Sequence, residues 1–269
     1  MFAIERHKFI LKLLKEKGQV TTQELCEKLN ISSATARNDL NKLNKDGLLK
    51  KTHGGATELV SLNSAVSIPP PLSFPNTFSF KTRVGKNPLE KHAISEHALQ
   101  YIKNNQCILL DASSTTLALA RKLTCFDKLI VVTNGIHTTL ELKEISNITV
   151  ILVGGIATKN SSSLEGTLGA YLLNHINADF AFISANGFTL TEGLTDFNIY
   201  EVALKKEMIH HSKKVIALLD SSKFENVSTA SFCAASQIDL ILTDENIDPE
   251  LLKHYRANGV NIEVCPYVK

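Results

Sequence analysis

The sequence predicts two units in series: a small, mostly helical N-terminal unit closed by a β-wing, then a larger α/β domain on a mainly parallel sheet. Three observations carry this. Apolar residues recur at helical spacing through the first 45 residues, and residues 58–76 are rich in Ser, Asn and Pro. Beyond them, short unbroken β-branched runs alternate with helical stretches. The expected boundaries are residues 1–57, a linker at 58–76, and residues 77–269.

In the first unit, Ile4, Ile10, Leu13 and Leu14 share one face of a helix from Ala3 to Lys17, and Gly18 suits the left-handed turn that ends it. Thr21-Thr22-Gln23-Glu24 has the form of a capping box, in which Thr21 accepts from the Glu24 amide and Glu24 reaches back to the helix start. Leu25 and Leu29 follow one turn apart. After Asn30-Ile31-Ser32 a third helix runs from about Ser33 to Lys45, with Ser32 as N-cap and Ala36, Leu40 and Leu43 facing inward. Two helices joined by so tight a turn make a helix-turn-helix. Leu48 to Thr57 then supplies two short extended pieces around a basic, glycine-containing bend, so the unit is a winged helix-turn-helix. Pro69-Pro70-Pro71 opposes regular structure in the linker.

In the second unit a helical run from Leu89 to Lys103 precedes a strand at Cys107 to Leu110, and a helix at Leu117 to Leu123 precedes another strand at Leu129 to Val132. Further strands are expected at Thr149 to Val153, Phe180 to Ile183, Val215 to Leu219 and Leu240 to Leu242. Runs so continuously apolar belong to strands covered on both faces.

The 269 residues, 43% of them hydrophobic, suffice for a substantial core. No run approaches the ~18 apolar residues of a membrane span, and the first 17 residues are charged throughout, so a cytoplasmic location is expected. The five cysteines are widely spaced and form no C-x-x-C pair, which points to free thiols rather than disulfides or zinc. The nine histidines show no H-x-x-x-H arrangement, so no metal is expected. Residues 1–60 hold eleven basic against seven acidic side chains, whereas the remainder holds eighteen against twenty. The basic excess therefore sits at the N-terminal end.

Thr35-Ala36-Arg37-Asn38-Asp39-Leu40, followed by His53-Gly54-Gly55-Ala56, resembles the DNA-binding signature of the DeoR family, usually T-I-R-R-D-L and then H-G-G-A. The similarity continues along nearly the whole chain. Phe80-x-x-Arg83, Glu90-Lys91, Asp111 to Thr116, Thr133-Asn134, Gly154-Gly155, Asn186-Gly187, Gly193-Leu194-Thr195, Glu201 and Asp220 to Phe224 fall where the family's sensor domain carries its landmarks. That sensor is similar in fold to ribose-5-phosphate isomerase and the CoA-transferases, which implies a Rossmann-like sheet. The resemblance implies a transcriptional repressor of a carbohydrate operon, with operator DNA and a phosphorylated sugar as partners. It also implies a homo-oligomer, dimer or tetramer, and no cofactor. The competing expectation is an isomerase-like enzyme fused to a DNA-binding module. Asn186 counts against it, because it stands where an acid would be expected and cannot exchange protons.

At the DNA end, Ser33, Thr35, Arg37 and Asn38 are the candidates for base contacts, since a recognition helix presents its N-terminal residues to the major groove. Lys42, Lys50, Lys51 and His53 would meet phosphates. Asp39 is expected to orient Arg37 or a neighbouring cap and to touch no base. Ala36 and Asn38 depart from the family pattern, which alters the core contact and removes one charge from the DNA face.

At the sensor end, Asp111, Ser113, Ser114, Thr115 and Thr116 would close a strand and open a helix at about Thr116, giving an anion site. Where the family often has Gly this chain has Ser113, which would be strained at positive φ. Lys223 would add a phosphate-binding charge, and Asn134, Asn186 and Glu201 hydrogen bonds to sugar hydroxyls. Gly154 and Gly155 would let a ligand or another segment approach the backbone.

Overall fold

The computed structural model describes residues 3–45, 48–52, 54–57, 79–157 and 162–267, so His53 and the expected linker at 58–76 lie outside the described residues. The chain divides into two compact units, residues 1–70 and 71–269.

The first unit consists of α1 (Ala3–Lys17), β1 (Gln19–Thr21), α2 (Thr22–Leu29), α3 (Ser33–Lys45), β2 (Lys50–Lys51) and β3 (Gly55–Thr57). Gly18 takes φ +74° after α1, as its freedom from a Cβ allows. Ile10, Leu13, Leu14, Leu25, Ala36, Leu40 and Leu43 form the core; the side chain of Ile4 lies outside those described. Thr21 Oγ1 accepts from the Glu24 amide at 3.1 Å, and Ser32 Oγ from the Thr35 amide at 3.2 Å. The reciprocal half of the capping box is not formed. The Glu24 carboxylate instead takes Lys17 Nζ at 2.5 Å and Lys28 Nζ at 3.6 Å, cations that a backbone amide does not match.

Strand β1 departs from the sequence reading, because three residues are too few to show a period. It pairs antiparallel with β3, which also pairs with β2, so the wing is a three-stranded sheet. Gly55 is required there: a Cβ at this position would lie 1.9 Å from the Val20 carbonyl oxygen.

The second unit opens with α4 (Phe80–Gly85) and α5 (Pro88–Ala98), then β4 (Gln106–Leu110), α6 (Ser114–Ala120), β5 (Leu129–Thr133), α7 (Ile136–Leu142) and β6 (Ile148–Leu152). A hairpin of β7 (Ile156–Ala157) and β8 (Leu164–Glu165) leads to α8 (Ala170–Leu173) and β9 (Phe180–Ile183). Next come β10 (Gly187–Thr189), β11 (Gly193–Asp196), α9 (Ile199–His210), β12 (Val215–Leu218) and β13 (Ala230–Cys233). The unit closes with β14 (Leu240–Asp244), α10 (Pro249–Ala257) and β15 (Ile262–Cys265).

Seven strands form one parallel sheet in the order β15-β14-β12-β9-β4-β5-β6. Side chains alternate between two cores. Leu109, Val132, Ala181, Ala217 and Ile241 pack on one face, and Ile108, Leu110, Val131, Phe182, Ile216 and Leu242 on the other. Burial on both faces explains the unbroken apolar runs. Strand β15, helix α4 and the antiparallel sheet β10-β11-β13 go beyond the sequence reading, and α6 begins at Ser114 rather than near Thr116. Ser113 is its N-cap at φ −78°, ψ 162°, an unstrained extended conformation.

The chain moves from β4 outward to β5 and β6, then returns to the other side of β4 at β9 and continues to β12 and beyond. The junction of β4 and β9 is therefore the point where strand order reverses. Crevices open at the carboxyl ends of strands at such a point.

Candidate functional site

At that junction the loops after β4 and β9 stand side by side. Asp111, buried after β4, accepts from the Ser113 amide at 3.1 Å and from the Ser184 amide, which follows β9, at 3.0 Å. One carboxylate thus fixes both loops. Behind it Lys205 of α9 pairs with Asp111 at 3.1 Å and with Asp196 at 2.7 Å, and donates to the Ser184 carbonyl at 2.8 Å. Burial alone would raise the Asp111 carboxyl; the Lys205 charge and the hydrogen bonds hold it below the usual range. Burial would likewise lower the Lys205 ammonium, but Asp196, Asp111 and Glu201 hold it above its ordinary value.

In front of this buried group lies a cleft of about 420 Å³, its solvent-open part included. Ser113, Ser114, Thr115, Asn186 and Lys223, all singled out in the sequence, line it. Five cationic side chains (Arg83, Lys86, Lys91, Lys205, Lys223) line the wall against two carboxylates (Asp196, Asp220), an excess of three positive charges. The Lys91 ammonium is pushed down to about 8, chiefly by burial; Asp220 and Glu90 raise it while Lys223 and Arg83 lower it. Burial also lowers Lys223, with Lys86 and Arg83 adding to the shift and Asp220 and Asp196 opposing it. Both shifts mark the burial of positive charge, a cost that an anion in the cleft would reduce.

The other sensor candidates stand apart from the wall. Thr116 turns inward, its hydroxyl donating to the Asp111 carbonyl at 2.7 Å. Asn134 donates to the Leu164 carbonyl at 3.1 Å and ties the end of β5 to β8. Gly154 and Gly155 admit chain segments: a Cβ at Gly155 would meet the Glu165 carbonyl oxygen at 2.6 Å, and one at Gly169 would meet that of Gly154 at 2.1 Å. Glu201 is buried one turn before Lys205 and accepts from Ser163 Oγ at 2.6 Å. Burial, with Asp196 nearby, raises its carboxyl to about 7.

Sequence reasoning gives no role to Arg83, Lys86, Lys91, Lys205, Asp196 or Asp220. The available signal is the one-turn spacing of Glu201 and Lys205 on a helix whose Val202, Leu204 and Met208 are also buried. A lysine inside such an apolar stripe requires acidic partners.

In the first unit Ser33, Arg37, Asn38 and Lys42 are exposed along α3, and Thr35 is half-buried with its hydroxyl 2.9 Å from that of Ser32. Lys50 and Lys51 are exposed on β2. Asp39 does not orient Arg37: it is buried and pairs with Arg6 at 2.7 Å and His7 at 3.0 Å, because it sits on the inner face of α3 opposite α1. The wing is pinned to α3 by Asn44, which accepts from the Lys51 amide at 2.9 Å, and by Asn41, which accepts from Lys51 Nζ at 2.6 Å. Among the described residues no cluster of His, Cys, Asp or Glu could hold a metal ion, and no helix is long and apolar enough to cross a membrane.

The profile of the DeoR C terminal sensor domain matches residues 86–245, and that of the DeoR-like helix-turn-helix domain matches residues 6–61. The HTH-type transcriptional regulator GolR of Listeria innocua is 46% identical over 98% of this chain and 100% of its own length. The L-fucose operon activator of Haemophilus influenzae is 32% identical over 95% of this chain and 97% of its own. Among solved structures, the ribose 5-phosphate isomerase A of Methanocaldococcus jannaschii aligns at a TM-score of 0.38 and 16% identity over 51% of this chain and 54% of that one.

Proposed function

The chain belongs to the DeoR family of transcriptional regulators, and from that premise we propose that it represses a carbohydrate-utilisation operon and is released by a phosphorylated sugar. The observation that carries the effector half is the excess of three positive charges in a cleft at the strand-order reversal. A phosphate group would meet Arg83, Lys86, Lys91 and Lys223, while Ser114, Thr115 and Asn186 offer hydrogen bonds to the remainder of a sugar. Asp111 and Lys205 act indirectly, by holding the two loops in place.

The DNA half rests on the exposed row Ser33, Arg37, Asn38 and Lys42, with Lys50 and Lys51 on the wing. Arg37 and Asn38 have the donor patterns that pair with guanine and adenine edges, and the lysines suit phosphates. Two copies of the chain would place two such helices on paired half-sites. Release follows from linkage: a ligand that favours a conformation with lower operator affinity weakens binding by its differential affinity for the two states.

Two measurements on the full chain test this reading. A thermal-shift screen against phosphorylated sugars should find at least one that raises the melting temperature with concentration, while the unphosphorylated sugar does not. A gel shift with DNA upstream of the neighbouring genes should show that the same compound dissociates the complex. An operator affinity indifferent to every compound that binds the cleft would overturn the proposal. Because one relative is named an operon activator, a reporter assay with the regulator deleted fixes the sign of the output.

A further inference from the structure

We infer that α4, the first described element after residue 78, reads the occupancy of the cleft and is held more firmly when an anion is bound there. This rests on the anion-site reading above and adds the element whose stability the ligand changes. The short helix carries Arg83 and is followed at its C-cap by Lys86, so one of the cations on the cleft wall lies in it and a second at its end.

Six residues cannot hold a helix by themselves, so the position of α4 depends on what touches it. Lys91 Nζ, from α5, donates to the carbonyls of Arg83 and Lys86 at the end of α4. Phe80 stacks on His137 at 5.0 Å, and the Arg83 guanidinium lies 5.5 Å from the Phe80 ring and 5.8 Å from that of Phe197. Asn87, just beyond the helix, donates to Asp220 at 3.0 Å. Cations crowd this group: Lys91 feels Arg83 and Lys223, and Lys223 feels Lys86 and Arg83, with Asp220 the carboxylate that both lysines share.

Arg83 Nε is buried and has no hydrogen-bond partner. A donor left in that state costs free energy that an acceptor entering the cleft would recover. An anion there supplies the acceptor, removes the mutual repulsion and draws Arg83 and Lys86 toward Lys223. An anion in the cleft therefore adds a fastening for α4 to those that Lys91, His137 and Asp220 already supply.

Hydrogen exchange on the full chain, with inorganic phosphate as the probe and melting curves on the same samples, tests this. Phosphate at ten times its dissociation constant should raise the melting temperature and slow the Arg83 and Lys86 amides about tenfold. Those amides donate to Ser79 and Arg83 carbonyls within the helix. Amides of the remote α10 should not change. Arg83→Met, or Lys86→Met at an exposed position, should abolish the local slowing while Lys91 and Lys223 preserve part of the melting shift. A melting shift without slowing at α4, or with equal slowing in α4 and α10, overturns this role of α4 and leaves the anion site standing. Absence of any phosphate-dependent shift overturns both.

Discussion

Arg6 Nε of α1 lies 2.7 Å from Asp39 Oδ2, so the recognition helix is latched from its inner face by a charge pair. Burial alone would raise the Asp39 carboxyl, yet hydrogen bonds from Arg6 and His7 hold it below the usual range. A carboxyl depressed in the folded state contributes stability above its unfolded value of roughly 4, and that contribution disappears as pH falls through the folded value. Asp39→Asn should lower the melting temperature of the first unit by several degrees at neutral pH. It should also flatten the decline in stability below about pH 4. Circular dichroism melts across that range decide it, and identical acid dependence in both proteins would refute the latch.

The two adjacent glycines of the wing should respond unequally to alanine. A Cβ at Gly55 would stand 1.9 Å from the Val20 carbonyl oxygen, so β1 and β3 would have to separate; at Gly54 there is nothing within 4 Å. Gly55→Ala should therefore cost at least ~1–3 kcal/mol, and Gly54→Ala should stay within about 0.5 kcal/mol. Chemical denaturation of both variants measures this, and equal stabilities would mean that the wing sheet is not formed.

Elements with a period are legible in the sequence, and those held by long-range charge are not. Six of the seven parallel strands are visible as buried apolar runs. Strand β15 escapes because Glu263 interrupts the short run Ile262-Glu263-Val264-Cys265; only in the folded edge strand does that carboxylate meet His97 and Tyr101. In the cleft, Ser113 to Thr115 can be found because cap residues announce themselves locally. Lys205 cannot: beside Lys206 it looks like half of a solvated pair, and only the fold brings Asp111 and Asp196 to it across 94 and nine residues of chain. Arg83 and Lys91 stand among the landmarks without a role, since their shared cleft exists only when α4 and α5 fold against the loop after β12.

Base reading and backbone binding should separate by mutation. Arg37 is exposed on α3, so Arg37→Ala should leave folding intact while costing ~1–3 kcal/mol of operator affinity per half-site. Replacing Lys50 and Lys51 should weaken operator and random DNA alike. The slope of log affinity against log salt should flatten by roughly 0.9 for each phosphate that is no longer neutralised. Footprinting and salt titrations distinguish the two; an unchanged slope would remove the wing from the interface.

Glu201 should make the second unit less stable as pH rises. Its carboxyl is raised in the folded state from 4.5 to about 7, mainly by burial and then by Asp196. A group raised on folding contributes stability below its unfolded value, and that contribution fades as pH climbs through the folded one. Wild type should therefore lose roughly 3 kcal/mol between about pH 4.5 and 7 relative to Glu201→Gln, which keeps the hydrogen bond to Ser163 without the charge. Parallel pH–melting curves for the two proteins would contradict this.

Thr115→Asp tests whether sensing can be separated from DNA binding. Thr115 is buried to 3% exposure on the cleft wall, two residues beyond the Ser113 cap, so the substitution leaves the cap and the Asp111 clamp untouched. The new carboxylate stands on the wall of the cleft that the effector phosphate is proposed to enter, on the part that would meet the sugar. At 4 Å and an effective dielectric near 20, each pair of unit charges repels by ~4 kcal/mol before screening, enough for about three orders of magnitude in affinity. It also neutralises one of the three excess positive charges, which weakens the attraction for any anion that remains. Operator binding should persist because α3 belongs to the other unit, and the expected phenotype is a repressor that the inducer no longer releases. If the carboxylate imitates bound phosphate instead, operator affinity falls without any inducer, an outcome that still places the sensor at this loop. Thr115→Ser, which keeps the hydroxyl and adds no charge, should behave as wild type in the same gel shifts. A folded Thr115→Asp protein released by the same sugar phosphate at the same concentration as wild type would show that the effector does not bind here.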